Sequence, residues 1–203
     1  MPLVQVKCTN CGANLEIDNT LDAAVCPYCN VPFVVEKAIN NYNNTTNHIN
    51  AGSVNAYGGS SADFVVHGGV LEKYNGAAIE VVIPNSVKII GRAFDSMAIT
   101  SVVIPDSVQE IGSGAFYGCA ALTSVTMGNS VQKIGRSAFE YCRALTAITI
   151  PDSVKEIGYY AFDGCSALTS LTIGNSVTEI SSDAFRGCSS LIAIIIPASV
   201  QWI

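Results

Sequence analysis

A phenylalanine recurs every 23 residues along this chain, at Phe116, Phe139, Phe162 and Phe185, and each is followed three places on by Cys119, Cys142, Cys165 or Cys188. Ile104, Met127, Ile150, Ile173 and Ile196 keep the same step. A fixed period of this size marks a stack of like units, none of which buries its apolar face without its neighbours. Most of the chain is therefore expected to be a solenoid. Such a stack offers repeated surface for binding rather than an enclosed centre for catalysis.

Hydrophobic residues make up 49% of the 203-residue chain and charged residues 13%, which provides for a core while leaving Ser, Thr, Gly and Asn to face water. The net charge is −6 and no stretch is strongly basic, so nucleic acid is not an expected partner. No apolar run approaches the roughly 20 residues that cross a bilayer, so no membrane contact is expected. The opening Met1-Pro-Leu-Val-Gln-Val-Lys-Cys8 lacks a positive region ahead of an apolar run. It does not read as a signal peptide, and a cytoplasmic location is expected.

Three segments follow in order. Residues 1–37 carry Cys8-x-x-Cys11 and Cys26-x-x-Cys29, fourteen residues apart, with strand-like alternation over 13–18 and 31–36. Residues 38–62 are rich in Asn, Gly and Ser without periodicity and read as a flexible linker, with a short helical extension conceivable over 36–39. Residues 63–203 open with a hairpin around His67-Gly68-Gly69 and continue as the repeats. Each unit runs through an alternating segment such as Leu122-Thr-Ser-Val-Thr-Met-Gly128, then Ser-Val-x-x-Ile-Gly, then Ala-Phe-x-Gly-Cys. The first step, from Ile83 to Ile104, is two residues short, and both deletions fall away from the strand, beside Phe94. Pro or Gly ends each strand. The glycines of Ile-Gly (Gly91, Gly112, Gly135, Gly158) are expected at a bend with positive φ, with Ser181 as the exception.

These motifs resemble the leucine-rich repeats of the BspA-like class. The resemblance implies a mainly β fold: a right-handed leucine-rich-repeat solenoid of 23-residue coils, each adding a short parallel strand to a curved sheet. It also implies a binding or adhesion module, often displayed on bacterial surfaces.

The paired Cys-x-x-Cys motifs resemble a zinc ribbon with rubredoxin-type knuckles. Two knuckles turn four thiolates toward one point, so Cys8, Cys11, Cys26 and Cys29 are the expected ligands of one structural Zn²⁺. Gly12 and Asn30 are residue types that tolerate the left-handed turn such knuckles need. Iron in the same cage, or disulfides, are the alternatives. Four protein ligands would leave no open position for catalysis, and a segment this short needs a metal to hold it. The repeat cysteines read oppositely, as a ladder of small buried hydrophobes whose slot Met97 fills in the first coil.

No nucleophile–base pair, phosphate loop or paired carboxylates stand out, so the chain is not expected to be an enzyme. His48 falls in the linker and His67 beside a turn, neither with a carboxylate at a telling spacing. Asp106, Asp152, Asn85, Asn129 and Asn175 recur after the strand as turn caps. Two binding surfaces are expected: the outward Ser101, Ser124, Thr126, Thr149, Ser170 and Thr172 of the sheet, and Tyr117, Tyr141, Tyr159 and Tyr160 on the arc. Near the C-terminus Ile192 and Ile195 replace threonines, and Trp202 stands where earlier coils have Glu or Lys. An uncapped solenoid end exposes core and strand edge, so these three are candidates for pairing into a homodimer. The reading is a bacterial cytoplasmic scaffold that binds protein, with a surface adhesin and a zinc-ribbon regulator touching nucleic acid as alternatives.

Overall fold

The structure is a computed structural model that describes residues 61–203 and, ahead of them, four strands. The chain divides into two compact units, Met1–Ser53 and Val54–Ile203. In the first unit β1 (Leu3–Lys7) pairs antiparallel with β2 (Asn14–Asp18), and β3 (Ala23–Val25) with β4 (Pro32–Val34). Strands β2 and β4 fall where alternation places them; β1 and β3 were not anticipated. The four candidate metal ligands, the possible extension over 36–39 and all of the expected linker except its last two residues lie outside the described residues. Those last two enter a 3-10 turn, Ser61–Asp63.

The second unit begins with an antiparallel hairpin, β5 (Phe64–His67) and β6 (Val70–Tyr74). Gly68 and Gly69 turn it at φ 57° and 82°, the two consecutive positive values that a tight primed turn requires. Across this turn His67 Nδ1 lies 2.8 Å from Glu72 Oε2, so the histidine does have a carboxylate partner, brought by strand pairing rather than by sequence spacing.

Each of the next five coils supplies two strands, not one. The alternating segments form β7 (Glu80–Val82), β9 (Ser101–Ile104), β11 (Ser124–Met127), β13 (Ala147–Ile150) and β15 (Ser170–Ile173). They pair in parallel and in register along one face, β7 with β9 and β11 and separately β13 with β15, Ser124 against Ser101 and Thr149 against Thr172. The x-Ile of Ser-Val-x-x-Ile forms β8 (Ile89–Ile90), β10 (Glu110–Ile111), β12 (Lys133–Ile134), β14 (Glu156–Ile157) and β16 (Glu179–Ile180). These make a second parallel sheet, which the hairpin joins through β6 and closes with β5. Two-residue strands are too short to declare themselves by alternation. The short first step leaves both registers intact, with Glu80 against Ser101 and Ile89 against Glu110.

Register is also what builds the core. Phe94, Phe116, Phe139 and Phe162 are fully buried and stack with Phe185, their centroids 5.0, 5.1, 5.2 and 5.4 Å apart and their planes within 11°. Identical side chains on coils in register take the same direction, so one ring lands on the next. Tyr74 and Phe64 continue this spine into the hairpin.

The Ile-Gly glycines do not carry positive φ. A Cβ on Gly112 would lie 2.7 Å from the Ile90 carbonyl oxygen, and one on Gly135 2.8 Å from the Gly112 carbonyl carbon. Glycine is needed there because backbones of successive coils come too close for a side chain. Ser181 fits without positive φ as well. Left-handed backbone falls instead in two other columns. One is Ser96, Gly118, Tyr141, Gly164 and Gly187; the other is Gly114, Ser137, Tyr160 and Asp183. The first coil lacks a residue in the second column, because the deletion before Phe94 removes that turn position.

Candidate recognition surface

The sheet face appears as the alternation predicts. Ser124, Thr126, Thr149, Ser170 and Thr172 are exposed and Ser101 is half-buried, while Val102, Ile104, Ile148 and Ile150 point into the core. A threonine column at the start of the segment has a structural use that the sequence reading missed. Thr100, Thr123 and Thr169 each donate their hydroxyl to a carbonyl of the preceding coil, at 3.2, 3.0 and 3.1 Å. The Asp column also works between coils rather than within its own turn. Asp106 accepts from the Asn129 amide at 2.7 Å and Asp152 from Asn175 at 2.6 Å.

The arc carries the aromatic group. Tyr159 is exposed, whereas Tyr117, Tyr141 and Tyr160 are half-buried beneath one another and three arginines. Tyr117 and Tyr141 meet edge to face at 5.7 Å. The guanidiniums of Arg92, Arg136 and Arg143 lie over Tyr117, Tyr160 and Tyr141 at 5.3, 6.0 and 5.6 Å. Arginine and tyrosine are both residue types enriched at the energetic centres of protein interfaces, and a cation over an aromatic ring is attracted to its face.

Two of these tyrosines stand in left-handed backbone, Tyr141 at φ 61° and Tyr160 at φ 56°. Coils on either side of Tyr141 use Gly118 and Gly164 there, and the coil two before Tyr160 uses Gly114. The Tyr141 ring lies over Gly164, where a Cβ would meet its Cδ1 at 2.5 Å. A bulky residue in this region costs about 1–2 kcal/mol. The neighbouring Glu140 and then Asp163 carboxylates raise the Tyr141 phenol above its ordinary pKa, which keeps it a neutral donor.

The cysteine ladder is confirmed as interior and unpaired by disulfides: Cys119, Cys142, Cys165 and Cys188 are buried free thiols. Each also donates to the carbonyl of a phenylalanine in the preceding coil, Cys119 to Phe94 at 2.9 Å and Cys142, Cys165 and Cys188 to Phe116, Phe139 and Phe162 at 3.2 Å. Burial pushes the Cys119 thiol up to about 12 and that of Cys188 to about 11, and raises Cys142 and Cys165 further. Such thiols are not nucleophiles.

At the far end Trp202 forms a parallel bridge with Glu179, and the Ile180 amide donates to the Trp202 carbonyl at 3.0 Å. The last coil thus docks on the second sheet. Residues 192–196 do not join the first sheet by any backbone hydrogen bond among the described residues. Ile192 is fully exposed, Ile195 is 85% exposed and Trp202 72%. Among the described residues no helix is long and apolar enough to cross a membrane.

The chain belongs to the family of BspA type leucine rich repeat regions, six copies of which match residues 74–133 and 87–203. It is 31% identical to a leucine rich repeat protein of T. pallidum, with a TM-score of 0.63 over 66% of this chain and 69% of that one. A leucine rich cell surface protein of Faecalibacterium prausnitzii is also 31% identical, with a TM-score of 0.50 over 78% of this chain and 51% of its own. A leucine-rich repeat protein of Eubacterium ventriosum shares the fold at 22% identity, with a TM-score of 0.54 over 66% of this chain and 43% of the other. No curated protein matches the chain.

Proposed function

We propose that this protein is a non-enzymatic scaffold that binds a protein partner through the arc of its solenoid, with the Ser/Thr ribbon as a second contact. One observation carries this reading: Tyr141 occupies a left-handed position that the coils on both sides of it give to glycine, Gly118 and Gly164. Backbone strain of this kind persists where the side chain serves something other than the fold. Replacing Tyr141 by glycine relieves the strain but loses the edge contact with Tyr117 and frees the unfolded chain, terms of about 1 kcal/mol each that nearly cancel. The expected outcome for Tyr141→Gly is a Tm within a few degrees of the parent, together with loss of most of the proteins that the parent retains from a lysate. A large drop in Tm with unchanged retention would mean that Tyr141 is there for packing.

The N-terminal unit is proposed to hold one structural Zn²⁺ through Cys8, Cys11, Cys26 and Cys29. In both hairpins the last paired residues, Lys7 with Asn14 and Val25 with Pro32, enclose six residues that begin with Cys and have the second Cys at the fourth place. Equal loops with equal cysteine placement are what two knuckles sharing one metal need. A cytoplasmic location is proposed on the same thiols, since reduced cysteines keep there. Elemental analysis is expected to give one zinc per chain, released by chelator together with loss of the N-terminal unit's protection against proteolysis. Paired disulfides and no metal would instead favour the surface-adhesin alternative.

Self-association through Ile192, Ile195 and Trp202 is proposed as a second contact, because these apolar side chains are exposed and the backbone of residues 192–196 makes no hydrogen bond to a strand among the described residues. Sedimentation of the full chain is expected to show a concentration-dependent dimer that Ile195→Lys abolishes. A monomer at several hundred micromolar would sink the idea.

A further inference from the structure

The column directly after Ile-Gly runs Arg92, Ser113, Arg136, Tyr159 and Ser182 in successive coils. A short side chain thus stands between two long basic ones, and the next residue in the same coil, Gly114, has no side chain to fill the gap. The result is an open notch of about 300 Å³ lined by Arg92, Ser113, Gly114, Tyr117, Arg136 and Ser137. Gly114 stands at φ 65°, and the Arg92 side chain packs beside it.

The charge in this notch runs against that of the molecule. The chain carries −6 overall, with 10 basic residues, yet two arginines face one gap two coils wide. Arg92 Nε donates to Asp95 Oδ2 at 2.8 Å, which neutralises one guanidinium and aims it while leaving its Nη groups unused. Arg136 stacks on Tyr160 and has no ion pair among the described residues. The notch therefore holds one uncompensated positive charge, guanidinium donors on both walls and the hydroxyls of Ser113 and Ser137 between them. Apart from the Arg92–Asp95 pair this is a set of donors, which suits an oxyanion. A volume of about 300 Å³ exceeds what a bare ion fills, so the anion would arrive on a larger group that covers the Tyr117 ring.

We infer that this notch binds a side-chain carboxylate of an acidic peptide segment in the protein partner. The inference rests on the proposed protein-binding role and names the chemistry at one end of that surface: Arg and Tyr together are the mark of a protein contact rather than of a solvated charge. The test titrates the full chain with an acetylated, amidated peptide of alternating Glu and Gly, against the same peptide with Gln for Glu, at constant ionic strength. Saturable binding of the Glu peptide is expected, at least about tenfold tighter than the Gln peptide, since a charge-assisted pair is worth about one decade or more. Arg136→Gln and Arg92→Gln are each expected to weaken it about tenfold with unchanged Tm, while Arg186→Gln, on a distant coil, leaves it unaltered. Equal weakening by Arg186→Gln would reduce the effect to general attraction and overturn the site. So would preference for a sulfated sugar over the Glu peptide, or no saturable binding. The Tyr141→Gly result is independent: its retention effect persisting while the peptide fails to bind would remove the notch and keep the surface.

Discussion

Phe139→Ala is expected to lower the unfolding free energy by about 4 kcal/mol, read from the midpoint in urea at constant m-value. Phe139 is fully buried and has ring neighbours on both sides, Phe116 at 5.1 Å and Phe162 at 5.2 Å. Removing it leaves a cavity that the two flanking coils cannot close, because their backbones are held apart by both sheets. In a stack, stability resides in the interfaces between adjacent units, and this one substitution damages two of them. Phe185 is half-buried with one ring neighbour at 5.4 Å, so Phe185→Ala should cost about half as much. Equal losses at the two positions would show that the rings act as separate hydrophobes and not as a spine.

The second large effect is alkaline. An unfolded thiol ionises near pH 8.5, whereas burial holds Cys119 protonated to about 12 and Cys188 to about 11, with Cys142 and Cys165 raised beyond them. Above pH 8.5 the unfolded chain therefore binds fewer protons than the folded one, and stability falls as pH rises. The contribution of the ladder is fully present below that pH and is lost as pH climbs toward the folded values. Each thiol adds a slope of about 1.4 kcal/mol per pH unit, so four give roughly 5 kcal/mol between pH 9.5 and 10.5. The double variant Cys142→Ser, Cys165→Ser keeps a donor toward the carbonyls of Phe116 and Phe139 but does not titrate in this range. Its stability against pH is expected to fall with about half the slope. Coincident profiles for parent and variant would mean that the buried thiols ionise without unfolding.

Both predictions depend on coils stacking in register, and that much is legible from the chain. The 23-residue step in Phe, Cys and Ile specifies a solenoid, because identical residues at a fixed interval have one way to be buried together. Alternation in 122–127 assigns which face of the first sheet meets water, since the side-chain period of a strand is two. The expected outward serines and threonines are where that rule puts them.

Other features depend on distances between coils that no single repeat encodes. The second parallel sheet is not legible in the chain because its strands are two residues long, and pairing with the next coil makes them strands at all. The Ile-Gly glycines were assigned to a bend, yet the neighbouring backbone under 3 Å from their missing Cβ is the reason for them. The left-handed positions lie in two other columns, and in the Ala-Phe-x-Gly column Tyr141 stands between Gly118 and Gly164, a signal present once the repeats are aligned. His67 found Glu72 only when the hairpin folded.

The sequence by itself determined the repeat, the burial of its phenylalanines and cysteines, and the cysteine pairs that propose a metal. Those depend on residue type and interval. Tertiary structure alone decided that Arg92 and Arg136 flank one gap, that Asp106 and Asp152 bridge to the next coil, and that the repeat thiols donate to carbonyls of the preceding one. These depend on what stands a coil away, and a coil step of about 5 Å in space is 23 residues along the chain.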